Sequence, residues 1–140
     1  MSYLPADLWV PEPTIDDHGF WEGAKQQELR FQRCSECGRF RHHPTPGCAR
    51  CGSLKSEWVK AKDEAELFSF TIVHYAADDR VKPNVPYNVA VVRFPSYDDV
   101  RLISNIVGTP NEELKIGMKL RLVWEETAGE YPVPRFEVVR

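Results

Sequence analysis

Much of this chain alternates apolar and polar side chains in short runs, the period-two signature of half-buried strands. Phe68, Phe70 and Ile72 alternate with Ser69, Thr71 and Val73, Val89 and Val91 with Ala90 and Val92, and Leu102, Ser104 and Ile106 with Ile103, Asn105 and Val107. Leu120, Leu122 and Trp124 mark a fourth run, and Phe136, Val138 and Val139 a fifth. Between the third and fourth, residues 111–114 read as a capped helical turn and Ile116-Gly117-Met118 as a tight reversal. Five short strands with a helical piece before the fourth predict a compact Greek-key barrel over residues 61–140, because a sandwich usually needs about seven strands.

The first third reads differently. Pro5, Pro11 and Pro13 surround Leu8-Trp9-Val10, which resists helix and central strand alike and predicts an extended arm. Trp9 on such an arm either lies back on its own domain or docks on a partner. From Thr14 to Gln32, Thr14 or Asp16 can cap a helix, and Phe20, Trp21, Ala24, Gln27 and Leu29 form a broken helical stripe, so one or two helices are expected, weakened at Gly23. Residues 29–33 then alternate as a strand. Residues 39–44 predict its return partner, and Glu57-Trp58-Val59 an exit strand whose tryptophan is a packing residue. Three units follow: arm and helices over 1–32, a small ribbon over 33–60, and the barrel over 61–140.

The ribbon carries the most specific chemical signal. Cys34-Ser-Glu-Cys37-Gly38 and Cys48-Ala-Arg-Cys51-Gly52 are two Cys-x-x-Cys hooks, each followed by a glycine that accepts positive φ. Two thiolates from each hook can converge on one soft tetrahedral ion, so Cys34, Cys37, Cys48 and Cys51 are candidate ligands of a structural zinc. A rubredoxin-like iron, and a disulfide or redox dithiol, are the alternatives. His42 and His43 lie between the hooks, but four sulfurs already close a tetrahedron, so both histidines read as surface residues of the ribbon.

Charge changes the picture only locally. The formal net charge is −3, and no apolar run approaches the roughly 20 residues that cross a bilayer. The start lacks a basic region followed by an apolar core, which predicts a soluble cytoplasmic protein with reduced thiols. Residues 20–60 nonetheless carry eight bases against four acids. These bases either offset the charge of the thiolate cage or meet the phosphates of a nucleotide-like ligand or RNA.

No catalytic set accompanies these features. Every cysteine sits in a hook, and there is no Gly-x-Ser-x-Gly elbow, Walker loop or dinucleotide fingerprint. The adjacent acids Asp78-Asp79, Asp98-Asp99, Glu112-Glu113 and Glu125-Glu126 read as solvated loop residues rather than an acid–base dyad. The segment from Tyr75 to Pro86 is long for a hairpin connection, and such loops on a rigid barrel often carry binding residues.

Taken together, Phe20-Trp21, the Cys34/Cys37/Cys48/Cys51 ribbon, the Pro-rich second hook, Glu57-Trp58, Pro86-Tyr87-x-Val89-Ala90-Val91-Val92 and Ile116-Gly117-Met118 resemble the DUF35 family from about residue 14 onward. The resemblance implies a mainly β protein in which a rubredoxin-like zinc ribbon is followed by a five-stranded OB-fold barrel. It also implies an accessory subunit of a thiolase-fold enzyme (a thiolase, acyltransferase or aldolase), in some cases working with a MaoC-like hydratase, and a coenzyme A thioester as ligand. On that reading Arg39, Arg41, Arg50, Arg80 and Lys82 are candidate contacts to CoA or to the partner. The alternative is a nucleic-acid-binding module, since ribbons and OB barrels both serve that purpose, but the barrel segment is net acidic.

Overall fold

The computed structural model describes residues 2–62 and 64–140. One helix, α1 (His18–Lys25), precedes a three-stranded antiparallel ribbon in the order β2-β1-β3, with β1 Arg30–Cys34, β2 Phe40–Arg41 and β3 Ser56–Lys60. A five-stranded sheet follows, with β4 Ala65–Val73, β5 Tyr87–Phe94, β6 Val100–Ser104, β7 Lys119–Glu125 and β8 Val133–Val138 in the order β6-β5-β4-β7-β8. A parallel bridge between Ile106 and Phe136 joins its two ends into a closed barrel. No helix among the described residues is long and apolar enough to cross a membrane.

The helix is shorter than the expected span. Thr14 and Asp17 tie the chain before it into a turn, the Asp17 carboxylate accepting from the Thr14 amide (2.6 Å) and hydroxyl (2.9 Å). After Lys25, Gln27 adopts a left-handed φ of 56° and the Glu28 amide donates back to the Gly23 carbonyl, which turns Leu29 into the buried start of the ribbon. The return strand is also shorter than expected, with Phe40 and Arg41 alone paired to β1.

Ribbon and barrel share one core. Phe31 of β1 is fully buried and meets Phe94 of β5 edge-on at 4.9 Å, and Phe94 in turn meets Phe136 of β8 at 6.0 Å. Trp58 of β3 packs against the same core from the side of α1. Along β5, Asn88, Ala90, Val92 and Phe94 face inward. On β4 the expected alternation breaks: a bulge between Leu67 and Ser69 leaves Phe68 on the outer face, partly exposed beneath the Arg101 guanidinium at 3.8 Å, while Leu67 is buried. An extra residue in one strand reverses every side chain beyond it, so Phe68 does not share a face with Phe70 and Ile72.

The barrel closes through buried polar groups. Asn88, fully buried, accepts from the Ile106 amide (2.7 Å) and donates to the Ile106 carbonyl (2.8 Å), and the Ser104 hydroxyl donates to the Pro134 carbonyl (2.7 Å). The N-terminal arm lies back on this end of its own barrel. The Tyr3 hydroxyl accepts from the Asn88 backbone amide (2.9 Å), the Tyr3 amide donates to Glu125, and the Ala128 amide donates to the Ala6 carbonyl (3.0 Å).

Gly19 sets the distance between helix and ribbon. A Cβ there meets the Trp58 indole at 2.2 Å. Replacing a helical glycine with alanine ordinarily gains about 1 kcal/mol, whereas overpacking costs roughly 1–3 kcal/mol. Because the obstacle is the middle of a packed indole, the upper part of that cost applies and the clash prevails, so Gly19→Ala is expected to lose about 1–2 kcal/mol in urea denaturation; a variant as stable as the parent contradicts this packing.

Candidate functional site

The two hooks face each other at the end of the ribbon. Cys34 ends β1, its carbonyl accepts from Gly38 (3.0 Å), and the Cys48 carbonyl accepts from Gly52 (2.8 Å); the glycines take φ of 79° and 78°. The four Sγ atoms lie within 4.8 Å of one another, with Cys34–Cys51 at 3.6 Å and Cys37–Cys48 at 3.7 Å. A zinc with bonds of about 2.3 Å to four sulfurs spaces them by about 3.8 Å, so the cage has the size that such an ion requires and none of its sulfurs is disulfide-bonded. The Cys37 amide, directed at Sγ of Cys34, holds that thiol at about 6, and the Cys51 amide likewise lowers Cys48. At Cys51 the Ser53 amide favours the thiolate, but the neighbouring thiols outweigh it and push the group up to about 11. Among the described residues no other group of three or more His, Cys, Asp or Glu side chains converges in this way.

The metal cage is fastened to the barrel by the turn between β5 and β6. The Asp98 carboxylate accepts from the Phe40 amide (2.9 Å), just beyond the first hook, and the Tyr97 hydroxyl accepts from the Lys62 amide (2.7 Å). The Tyr97 ring stands edge-on to Phe40 at 5.0 Å. Three of the adjacent acids have fixed partners. Asp98 docks the ribbon, Asp78 binds Arg80, and Glu125, largely buried, pairs with Arg135 at 2.7 Å. Asp79, Asp98, Asp99, Glu112, Glu113 and Glu126 are nonetheless exposed, so the expectation of solvated acids fails at Glu125, which is withdrawn from solvent and ion-paired.

The five candidate cations do not form one cluster. Arg39 lines a groove on the ribbon together with Arg41, Asp98 and Asp99, and Arg50 is exposed on the second hook. Arg41 is held internally, donating to the Gln32 side chain (2.6 Å) and the Thr45 carbonyl (3.0 Å). Arg80 is engaged by Asp78 and reaches the Asp7 carbonyl of the arm (3.4 Å), and Lys82 pairs with Asp79 (2.7 Å). The long connection that bears these two winds into a 3-10 helix, Asp79–Asn84, with Val81 buried.

A larger apolar cleft of about 400 Å³ opens where arm, helix, ribbon and barrel meet. Its walls include Trp9, Trp21, His42, Leu102, Ile103 and Pro134. His43 is exposed as expected, but His42 is turned inward, 5.3 Å from the Phe20 ring and 5.8 Å from Phe31, and its Nδ1 is buried without a hydrogen-bond partner among the described residues. Sequence spacing cannot bring Trp9, His42 and Ile103 together; the one available signal was an unusual density of aromatics and histidine before and within the ribbon. Burial, reinforced by the neighbouring His43 and opposed by Asp17, lowers the His42 imidazole to about 4, so it is neutral.

Residues 58–125 match the family model described as the C-terminal OB-fold domain of ChsH2, and residues 21–57 that of the ChsH2 rubredoxin-like zinc ribbon domain. The fold superposes on a solved structure described as the Ltp2–ChsH2(DUF35) aldolase with a TM-score of 0.82 and 32% identity, covering 92% of this chain and 98% of that one. A DUF35 protein of unknown function from Sulfolobus solfataricus superposes with a TM-score of 0.62 and 29% identity, over 86% of this chain and 82% of that one. Among curated proteins, a probable enoyl-CoA hydratase alpha subunit of Thermomonospora curvata is 36% identical over 128 residues, 90% of this chain. The 3-oxo-4,17-pregnadiene-20-carboxyl-CoA hydratase alpha subunit of Mycobacterium tuberculosis is 30% identical over 120 residues, 86% of this chain. The chain spans 39% and 37% of the length of these two curated relatives.

His42 makes a pH prediction. Its folded value lies below the unfolded 6.5, so the unfolded state takes up the proton first. The stability it contributes is complete above pH 6.5 and is lost as pH falls toward 4, by at most about 3 kcal/mol. Urea denaturation between pH 7 and 5 should show this decline, and His42→Gln should flatten it; an equal slope in the variant contradicts the assignment.

Proposed function

The chain belongs to the DUF35 family of ChsH2-type zinc-ribbon and OB-fold proteins, and from that premise we propose that it is a non-catalytic accessory subunit of an acyl-CoA enzyme complex. The observation that carries this reading is its likeness, over 98% of that chain, to the structure described as the Ltp2–ChsH2(DUF35) aldolase. The curated relatives' names, both hydratase alpha subunits and both acyl-CoA enzymes, support the same substrate class. The partner in this proposal is a thiolase-fold subunit, for which the ribbon and barrel serve as a rigid platform.

The division of labour follows from the residues. Zinc bound by Cys34, Cys37, Cys48 and Cys51 supplies a cross-link, not reaction chemistry, because four thiolates leave no open coordination position. A sheet of three strands, one of them two residues long, cannot stand on its own apolar burial, so the metal contributes folding free energy directly. The cage then holds Phe40 against Asp98, and with it the ribbon against the barrel. Of the candidate cations, Arg39 and Arg50 are the two with no hydrogen bond or ion pair of their side chains among the described residues, which leaves them available for phosphate groups or a partner's acids.

Two outcomes check this reading. Cys48→Ser should lose bound zinc, measured by metal analysis, together with soluble yield; a soluble variant that keeps its fold and its partner without zinc contradicts the structural role. Co-expression with a thiolase-fold subunit from the same organism should give a stable heteromeric complex, and acyl-CoA turnover by that subunit in the pair only. A thiolase-fold subunit that assembles and turns over fully alone overturns the accessory role.

A further inference from the structure

From the cleft between arm, helix, ribbon and barrel we infer that this chain has a binding site of its own for a flat, uncharged ring system, such as a fused aromatic or alicyclic group. The cleft lies over the least-bonded seam of the barrel. β6 and β8 are joined by the Ser104–Pro134 hydrogen bond and the Ile106–Phe136 bridge, and no ladder runs between them. The gap is walled by side chains from four elements: Trp9 of the arm, Trp21 of α1, His42 of the ribbon, and Leu102, Ile103 and Pro134 of the barrel. At about 400 Å³ it falls in the range of small-molecule sites, which are mostly apolar and formed before the ligand arrives.

The walls select shape. Trp9 and Trp21 are inclined at 58° with their centroids 6.1 Å apart, and Trp9 remains 61% exposed although the arm before it is hydrogen-bonded to the barrel through Ala6. Ile103 is 73% exposed on the opposite rim. Large apolar side chains held open by a rigid frame gain about 25 cal/mol for each Å² that a ligand covers, with little ordering left to oppose it.

The charges select neutrality, because each ionised group around the cleft is engaged elsewhere. The Asp17 carboxylate is taken by the Thr14 amide and hydroxyl, and Arg135 by Glu125. The Arg101 guanidinium lies over the Phe68 ring on the outer face of the sheet, with Asp99 at 3.9 Å. His42 is neutral, and exposed His43 stands at the mouth. A carboxylate or ammonium entering the cleft therefore gives up its water for no counter-charge. All of the walls belong to this chain, so binding does not depend on the accessory role or on any partner.

The test titrates the zinc-loaded full chain with 2-naphthol, its anion-bearing analogue 2-naphthoate and linear 1-octanol, following the Trp9 and Trp21 indole N–H and the Leu102 and Ile103 methyl resonances by NMR. The expected result is saturable shifts at these groups with 2-naphthol, and binding of 2-naphthoate and 1-octanol at least tenfold weaker. Ile103→Glu, at a 73% exposed position and with its fold checked by the unchanged remainder of the NMR spectrum, is expected to weaken 2-naphthol about tenfold, while Ile116→Glu, 70% exposed and outside the cleft, leaves it unchanged. Absence of shifts, equal binding of the three probes, or indifference to Ile103→Glu overturns the inference.

Discussion

The edge-to-face stack of Phe31, Phe94 and Phe136 is the interaction on which the rest of the molecule depends, because it makes ribbon and barrel a single core. Truncating a buried phenylalanine costs about 3–5 kcal/mol, a large part of what a domain of this size has in hand. The ribbon contributes Phe31 to that core and receives in return the apolar burial it cannot generate alone. Every feature outside the stack, from the Tyr97 and Asp98 clasp to the cleft beside His42, is positioned by it.

Around this apolar axis, specificity comes from polar groups that are fully engaged. Asn88 pins the end of the third barrel strand and receives the Tyr3 hydroxyl of the arm, so one buried side chain sets both closure and arm docking. Asp98 does the same for the ribbon. A buried amide such as that of Asn88 is tolerated only with its partners in place, which is why it defines one arrangement rather than several. The cage of sulfurs acts at the far end of the ribbon in the same sense, as a fixed closure and not as a reactive centre.

A large part of this was legible along the chain. The two Cys-x-x-Cys hooks with their glycines announce the cage, since four sulfurs at that spacing and two positive-φ turns have few other uses. Five alternating runs announce the barrel, since a period of two is a local property. The errors have one physical origin each. Phe68 was misplaced because a bulge is an insertion relative to a neighbouring strand and leaves no local trace. His42 was read as a surface residue because its burial comes from Phe20 and Phe31, outside its own segment. Glu125 reads as solvated along the chain because its donor, Arg135, lies on another strand.

What the sequence by itself determined, then, is whatever rests on short-range chemistry: the ligand set of the metal, the strand periodicity, the proline-stiffened arm and the absence of a catalytic triad or phosphate loop. Tertiary structure alone decided which side chains share a surface. It separated Arg80 and Lys82 from the ribbon arginines by committing them to neighbouring acids, and it brought Trp9, Trp21, His42 and Ile103 to one cleft from four segments. The reason is that spacing along a chain constrains distance only within a turn or a strand, whereas a cleft is the space that several packed elements leave between them.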